Sequence, residues 1–344
     1  MKHLIPLLAA FMLCPTFLVA QITLNESDFP DADDTAMISI SDEFGLDFET
    51  TGADMNWDFS DINISAQRID TFYDVSDASW TLQIAFNNFL EPDYESNYFN
   101  NFQGFEPPGT GGVGLSFGNT VIFTKYNSGS IEKTGIGMNV NDVEIPAQYE
   151  NKDTEFELPI DFGDNWTDYS FLDVDLNPAF NGILRRHQDR SAEVDGWGSI
   201  TTWYGTFDVL RIKMDFTYND SVFIEFGGSG TWLELPTPER HEYIWMTNGQ
   251  KVPIMKIITT GPSGTEVVSG VEFKDIDRGF LSVSDPVQTK LTFYPNPTTG
   301  IVYLSAEENI NEVTLTDMQG RIVQTDVLDS ANGYLDYSTQ PQGV

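Results

Sequence analysis

Apolar and polar residues alternate one by one along most of this chain, and helical spacing is scarce. The clearest run is 207–216, where Leu210, Ile212, Met214 and Phe216 fall on one side and Arg211, Lys213 and Asp215 on the other. A period of two sends successive side chains to opposite faces of a pleated strand, so the run predicts a half-buried strand. Segments 120–125, 222–226, 254–260 and 267–274 carry the same signature. Between them stand turn clusters: Asn127-Ser128-Gly129, Asn219-Asp220, Gly227-Gly228-Ser229-Gly230 and Gly261-Pro262-Ser263-Gly264. Such punctuation about every ten residues predicts an all-β fold whose body is antiparallel and β-sandwich-like, as one large body or two lobes. The aromatic share of 13% agrees, because aromatic rings suit a pleated, half-buried surface.

Two stretches interrupt the alternation. Segment 91–118 is rich in Asn, Gly, Pro and Phe and predicts a long surface loop, with a second break near Asn151-Lys152-Asp153. Further on, Ser284-Asp285-Pro286 reads as a linker, followed by short strands at 291–294, 301–305, 313–316 and 321–325. Pro295 fixes its own φ, and Pro297 keeps Asn296 extended. Gly300 is suited to the positive φ that reverses the chain, and Asp317-Met318-Gln319-Gly320 to a hairpin link. A small β-module therefore begins near Leu291, and the chain divides into 1–20, a β-rich body at 21–285 and a C-terminal module at 286–344.

The first twenty residues differ from everything after them. Lys2 and His3 precede an apolar run at 4–13, and Val19-Ala20 stand just before Gln21. This order is that of a secretory signal peptide, cut near Ala20. The apolar run is shorter than the roughly 20 residues that span a bilayer. No second long apolar run follows, so no integral membrane segment is expected after cleavage. Cys14, the single cysteine, lies in the leader, which leaves the mature chain without a thiol. Seventeen basic residues face 53 acidic ones, a net charge of −36 that becomes −37 when Lys2 leaves with the leader. Such a surface repels nucleic acid and anionic membranes and excludes both as partners.

The tail carries a family resemblance. Phe293-Tyr294-Pro295-Asn296-Pro297-Thr298-Thr299-Gly300, then 313–321 with Asp317 and Gly320, then Pro341-Gln342-Gly343-Val344 resemble a type A C-terminal sorting domain of the type IX secretion system of Bacteroidetes. The resemblance implies an Ig-like sandwich, the secretion machinery as partner, passage through the outer membrane, and release or attachment at the cell surface. In the family two further strands follow the Gly-Val pair, so the resemblance implies that the module here is incomplete at Val344. The body, with Trp57-Asp58-Phe59-Ser60 and Gly196-Trp197-Gly198-Ser199, also resembles cargo proteins of the same bacteria to which no activity is attached. Asp34-Thr35-Ala36, Asp220-Ser221-Val222 and Asp329-Ser330-Ala331 resemble the O-glycosylation acceptors of those bacteria.

Motifs for chemistry are few. His187 and His241 fall in no metal-binding pattern and read as surface residues. Gly109-Thr110-Gly111-Gly112-Val113-Gly114 has the letters of a dinucleotide fingerprint but leads into a strand, where no helix N-terminus can hold a pyrophosphate. Asp31, Asp33 and Asp34 form one candidate calcium cluster, and Asp173, Asp175 and Asn177 another. The second is not an EF-hand, since Pro178 and Leu184 occupy positions that need Gly and Glu. No other cofactor is expected. Sugar rings could stack on Trp197, Trp203 and Tyr204, or on Tyr94, Tyr98, Phe99 and Phe102 in the long loop. These features predict a non-enzymatic secreted or cell-surface protein that binds a glycan or another surface component. The alternatives are a carbohydrate-active hydrolase using two carboxylates and a structural element of the surface layer or gliding machinery.

Overall fold

A computed structural model describes residues 21–102, 115–226, 229–279, 292–294, 300–316 and 322–338. The chain divides into two compact units with the boundary between Leu281 and Ser282. The first unit holds β1 (Thr35–Ser41), β2 (Met55–Asp58), β3 (Ala66–Asp74), helix α1 (Trp80–Phe86), β4 (Tyr98–Asn101), β5 (Phe117–Asn127) and β6 (Ser130–Val140). It continues with β7 (Val143–Glu157), β8 (Asn165–Asp175), β9 (Gly182–Thr202), β10 (Gly205–Phe226), β11 (Ser229–Leu235), β12 (Arg240–Met246), β13 (Met255–Thr260) and β14 (Val267–Lys274).

The body is all-β, but it is a closed barrel rather than two packed sheets. Twelve of its fourteen strands run β10-β12-β13-β14-β1-β3-β4-β5-β6-β7-β8-β9 and return to β10, each pair antiparallel. The cause lies in β9 and β10, 21 and 22 residues long. On one edge β10 pairs along its length with β9; on the other it serves β12 first and β11 afterwards. A strand that bridges two neighbours in this way closes the sheet, and closure leaves no unpaired edge. β2 is added outside the ring, parallel to the far half of β9.

Three local expectations change. Asn219-Asp220 is not a turn but lies inside β10, where Asp220 is buried against Arg186. Part of the expected long loop is β4, with Tyr98 and Phe99 in the core; residues 103–114, including Gly109 to Gly114, lie outside the described residues. Near Asn151 the chain does not break, and β7 passes through with a shift of register. The hairpin at Asn127-Ser128-Gly129 forms as expected, with Gly129 at φ +96°.

Inside the barrel, apolar side chains gather toward both strand ends. Leu24 and Phe29 pack with Trp166, Ile212 and Met246 at one end; Val140, Ile145, Leu176 and Leu235 pack together at the other. Two outer covers complete the body. Trp57, Phe59 and Ile62 lie on Tyr243, Trp245, Ile257 and Phe273, and α1 packs on β6 and β7.

The second unit pairs β15 (Thr292–Tyr294), β16 (Ile301–Thr316) and β17 (Ile322–Asp336) into an antiparallel sheet. Its described residues make this single sheet. The segments 301–305 and 313–316 belong to one strand, β16, whose register shifts after Ser305. Gly300 has φ +148°, and a Cβ there would stand 2.8 Å from the Ser338 backbone, so the position demands glycine. Pro295, Asn296, Pro297, Asp317, Gly320 and Gly343 lie outside the described residues, as does the linker at 284–286. Among the described residues, no helix is long and apolar enough to cross a membrane.

Candidate functional site

Between its apolar ends the barrel interior carries a belt of charge. Arg190 donates to Asp153 at 2.7 Å, each side chain 5% exposed. Arg186 grips Asp220 through two bonds of 2.8 and 2.6 Å. Lys133 meets Glu155 at 2.7 Å, Arg240 meets Glu242 at 2.6 Å, and Arg68 bridges Asp70 and Glu272. Strand register places these residues on one inner face: Met214 opposes Glu242, Lys256 opposes Glu272, and Phe216 opposes Arg190. Burial alone pushes Glu242 up, but Lys256 and Arg240 outweigh it and hold the carboxyl at about 2. Burial likewise raises Glu155 and Glu272, and Lys133 and Lys256 respectively lead the cations that bring both below the usual range. Each of these cations meets a carboxylate, so the belt is core chemistry.

These depressed carboxyls set a pH dependence. A carboxyl held below its unfolded value, about 4.3 for Glu, stabilises the fold above that value and loses the contribution as pH falls toward its folded pKa. Thermal melts of the mature chain are therefore expected to hold steady from pH 7 to about 5 and to drop steeply between about pH 4.5 and 2. A flat melting temperature across that lower window would contradict the belt.

The expected calcium ligands are engaged locally. Asp34 accepts from the Asp31 backbone at 2.8 Å, Asp31 from the Ala32 backbone at 2.9 Å, and Asp33 sits in a left-handed turn at φ +70°. Asp173 takes two bonds from Arg185 at 2.7 and 2.5 Å, and Asp175 accepts from Asn177. Among the described residues no group of three or more His, Cys, Asp or Glu side chains is placed to hold a metal.

His241 is not a surface residue. It is buried, with Nδ1 facing Asp215 at 2.5 Å and Nε2 facing the Gly261 carbonyl at 2.9 Å, because the turn at Gly261 closes over it. His187 is half-buried and stacks on Phe171 at 4.6 Å, in a row that continues through Arg185 to Trp232. Faces in this row press on one another, as in a cross-strand ladder that stabilises a sheet.

The aromatic candidates for sugar stacking are also occupied. Trp203 donates its indole N–H to the Ile62 carbonyl while Arg278 covers its ring. Tyr204 stacks on Phe207, Tyr94 donates to the Tyr149 carbonyl beneath Lys152, and Phe102 packs against the core. Trp197 is half-buried.

What the sequence reading missed is α1. Trp80, Ile84, Phe89 and Leu90 are 76%, 49%, 80% and 73% exposed, four large apolar side chains within eleven residues. The opposite side of the helix is buried: Phe86 stacks on Phe123 at 3.9 Å, and Leu82 packs beside it. Ser79 caps the helix by accepting from the Leu82 backbone at 3.3 Å. The barrel wall is cut to receive it. A Cβ on Gly135 would run into the Ala147 carbonyl and lie 2.5 Å from the Phe86 ring, so β6 seats the helix there only with glycine, while Gly137 lets Leu82 approach closely. Asp77, Glu91, Asp93 and Glu95 surround the patch in sequence, and no lysine or arginine occurs between Arg68 and Lys125. An apolar centre with a charged rim is the anatomy of a contact surface.

The geometry defines an acidic all-β barrel that presents one apolar helix, joined to a C-terminal β-tail. Residues 292–344 match the family of the secretion system C-terminal sorting domain, which is the type IX sorting tail. The chain is thus exported through the type IX secretion system and is a secreted or cell-surface protein. No curated protein and no solved structure matches it.

Proposed function

We propose that the mature protein is a non-enzymatic binding protein that grips a surface component outside the cell through the exposed side of α1 and the turn that follows it. The observation that carries this reading is the exposed apolar patch of Trp80 and Ile84 on a helix seated against Gly135 and Gly137, continued by Phe89 and Leu90 in the turn that follows it. Hiding these residues would favour the barrel alone, since burial gives about 25 cal/mol per Å² of apolar surface. Keeping them exposed fits a partner that covers them. Ile84 and Leu90 offer nothing to a sugar hydroxyl, so the face suits a protein component with an apolar centre. The acidic surroundings suit a cationic rim on that component.

The test is attachment of labelled mature chain to cells of the producing strain that lack its gene. Replacing Trp80 and Phe89 together by Ser is expected to weaken attachment at least about tenfold, the loss of two exposed aromatic anchors. The melting temperature should hardly change, because neither ring is packed. Unchanged attachment would sink the proposal.

A further inference from the structure

The last strand of the barrel, β14, ends at Lys274, a few residues before the boundary with the second unit. The chain that follows β14 is tied back to the barrel by a polar knot. Asp275, its side chain fully buried, accepts from the Ser39 hydroxyl of β1 at 2.8 Å and from Arg278 Nε at 2.7 Å. Gln67 of β3 donates to Ser39 Oγ at 2.9 Å and to the Ile276 carbonyl at 2.8 Å, and accepts from the Arg278 backbone at 2.9 Å. Arg278 also donates to the Trp203 carbonyl at 2.8 Å and lies over the Trp203 ring at 5.0 Å, at the tip of the β9–β10 hairpin.

The knot stands at the weakest place for a pull on the tail. β1 and β14, the first and last strands of the barrel, meet only along Ile38–Ser41 and Val271–Lys274. An antiparallel ladder drawn from one end opens like a zipper, one pair of bonds at a time. The tail continues from the Lys274 end of this seam, so tension on it reaches the Ile38–Lys274 pair first. The knot lies between the tail and that pair. It passes tension to β1, to β3 and to the hairpin tip through hydrogen bonds to charged groups, which are stronger than those between neutral ones.

We propose that Ser39, Gln67, Asp275, Arg278 and Trp203 form a latch that keeps the β1–β14 seam shut when the sorting tail is pulled. The tail is the part of the chain that directs export, so the secretion machinery acts on the barrel through this end. With the latch closed, the pull is spread over three parts of the barrel, and the ring stays whole while the tail is held. With it open, β14 peels from β1 and β13 and the barrel loses its closure.

The experiment pulls single molecules of the chain 21–344 between a handle at the C-terminus and a thiol at Ser128→Cys, an exposed turn position in a chain with no other cysteine. Apart from the tail's own unfolding, the barrel with an intact latch is expected to open in one step. Arg278→Ala should add an earlier step of about 40 Å, the release of residues 267–278, at a lower force. Arg278→Lys, which keeps a cation for Asp275, should open at a force between the two. Without load, hydrogen exchange of the β14 amides should be about tenfold faster in Arg278→Ala. Unchanged exchange in β8 and β9 would show that this variant is folded. An Arg278→Ala chain that opens in one step at the force of the parent, or whose β14 exchanges no faster, would overturn the proposal. So would an early step that releases some other segment.

Discussion

Replacing Arg190 by Ala is expected to destabilise the barrel by about 3–5 kcal/mol, the usual cost of removing one partner from a buried charge pair. Arg190 is almost wholly buried, donates to Asp153 at 2.7 Å and lies over the Phe216 ring at 4.8 Å. It also balances Glu155 of β7 and Glu242 of β12 across the interior. Without it Asp153 keeps its charge in the interior with no cation at contact distance, or takes up a proton at further cost. Urea unfolding of the mature chain reads the loss directly. The double variant Arg190→Met with Asp153→Leu removes both charges and should recover most of the stability, because an apolar pair of similar volume is often neutral or better. A single-variant loss under about 1 kcal/mol would mean that water reaches the pair and screens it.

Phe86→Ala is expected to cost about 3–5 kcal/mol by deleting a fully buried ring, and to do so locally. The ring fills the space that Gly135 leaves and stacks on Phe123, so its loss removes the main anchor of α1. Limited proteolysis should then cut within 79–95, and cell attachment should fall along with stability. The Trp80 and Phe89 change, by contrast, should affect attachment alone. A Phe86→Ala chain that resists cutting at the helix would show that the cap at Ser79 and the bonds of Gln83 to the Ser76 and Ala78 carbonyls suffice to hold it.

The strands most legible in the sequence were those with one mainly apolar face and a more polar one. At 207–216, 254–260 and 267–274 alternation marked the strand because neighbours on one face are mainly apolar. β9 hid itself. Its central inner positions are Arg186, Gln188 and Arg190, so there both faces read as polar and the period of two vanished. Asp220 passed for a turn residue for the same reason: its partner Arg186 lies 34 positions away, and nothing nearby announces it. Closure into a barrel depends on pairings such as β1 with β14, more than 200 residues apart, which no local pattern encodes.

Helix α1 failed differently. Trp80, Leu82, Ile84 and Phe86 alternate with Thr81, Gln83 and Ala85, and seven residues are too few to show a helical period. The seat that makes the segment a helix comes from Gly135 and Gly137, about fifty residues downstream. The tail was legible because its signals are local: Gly300 works through its own φ and the strand beside it.

The most direct test of the α1 reading is hydrogen–deuterium exchange of the mature chain, free and bound to gene-deleted cells or to their isolated outer membranes. Strong protection is predicted at 79–95, with the sheet face that carries Tyr169, His187 and Trp232 unchanged. Protection on that face instead, with exchange at α1 the same in both states, would contradict it.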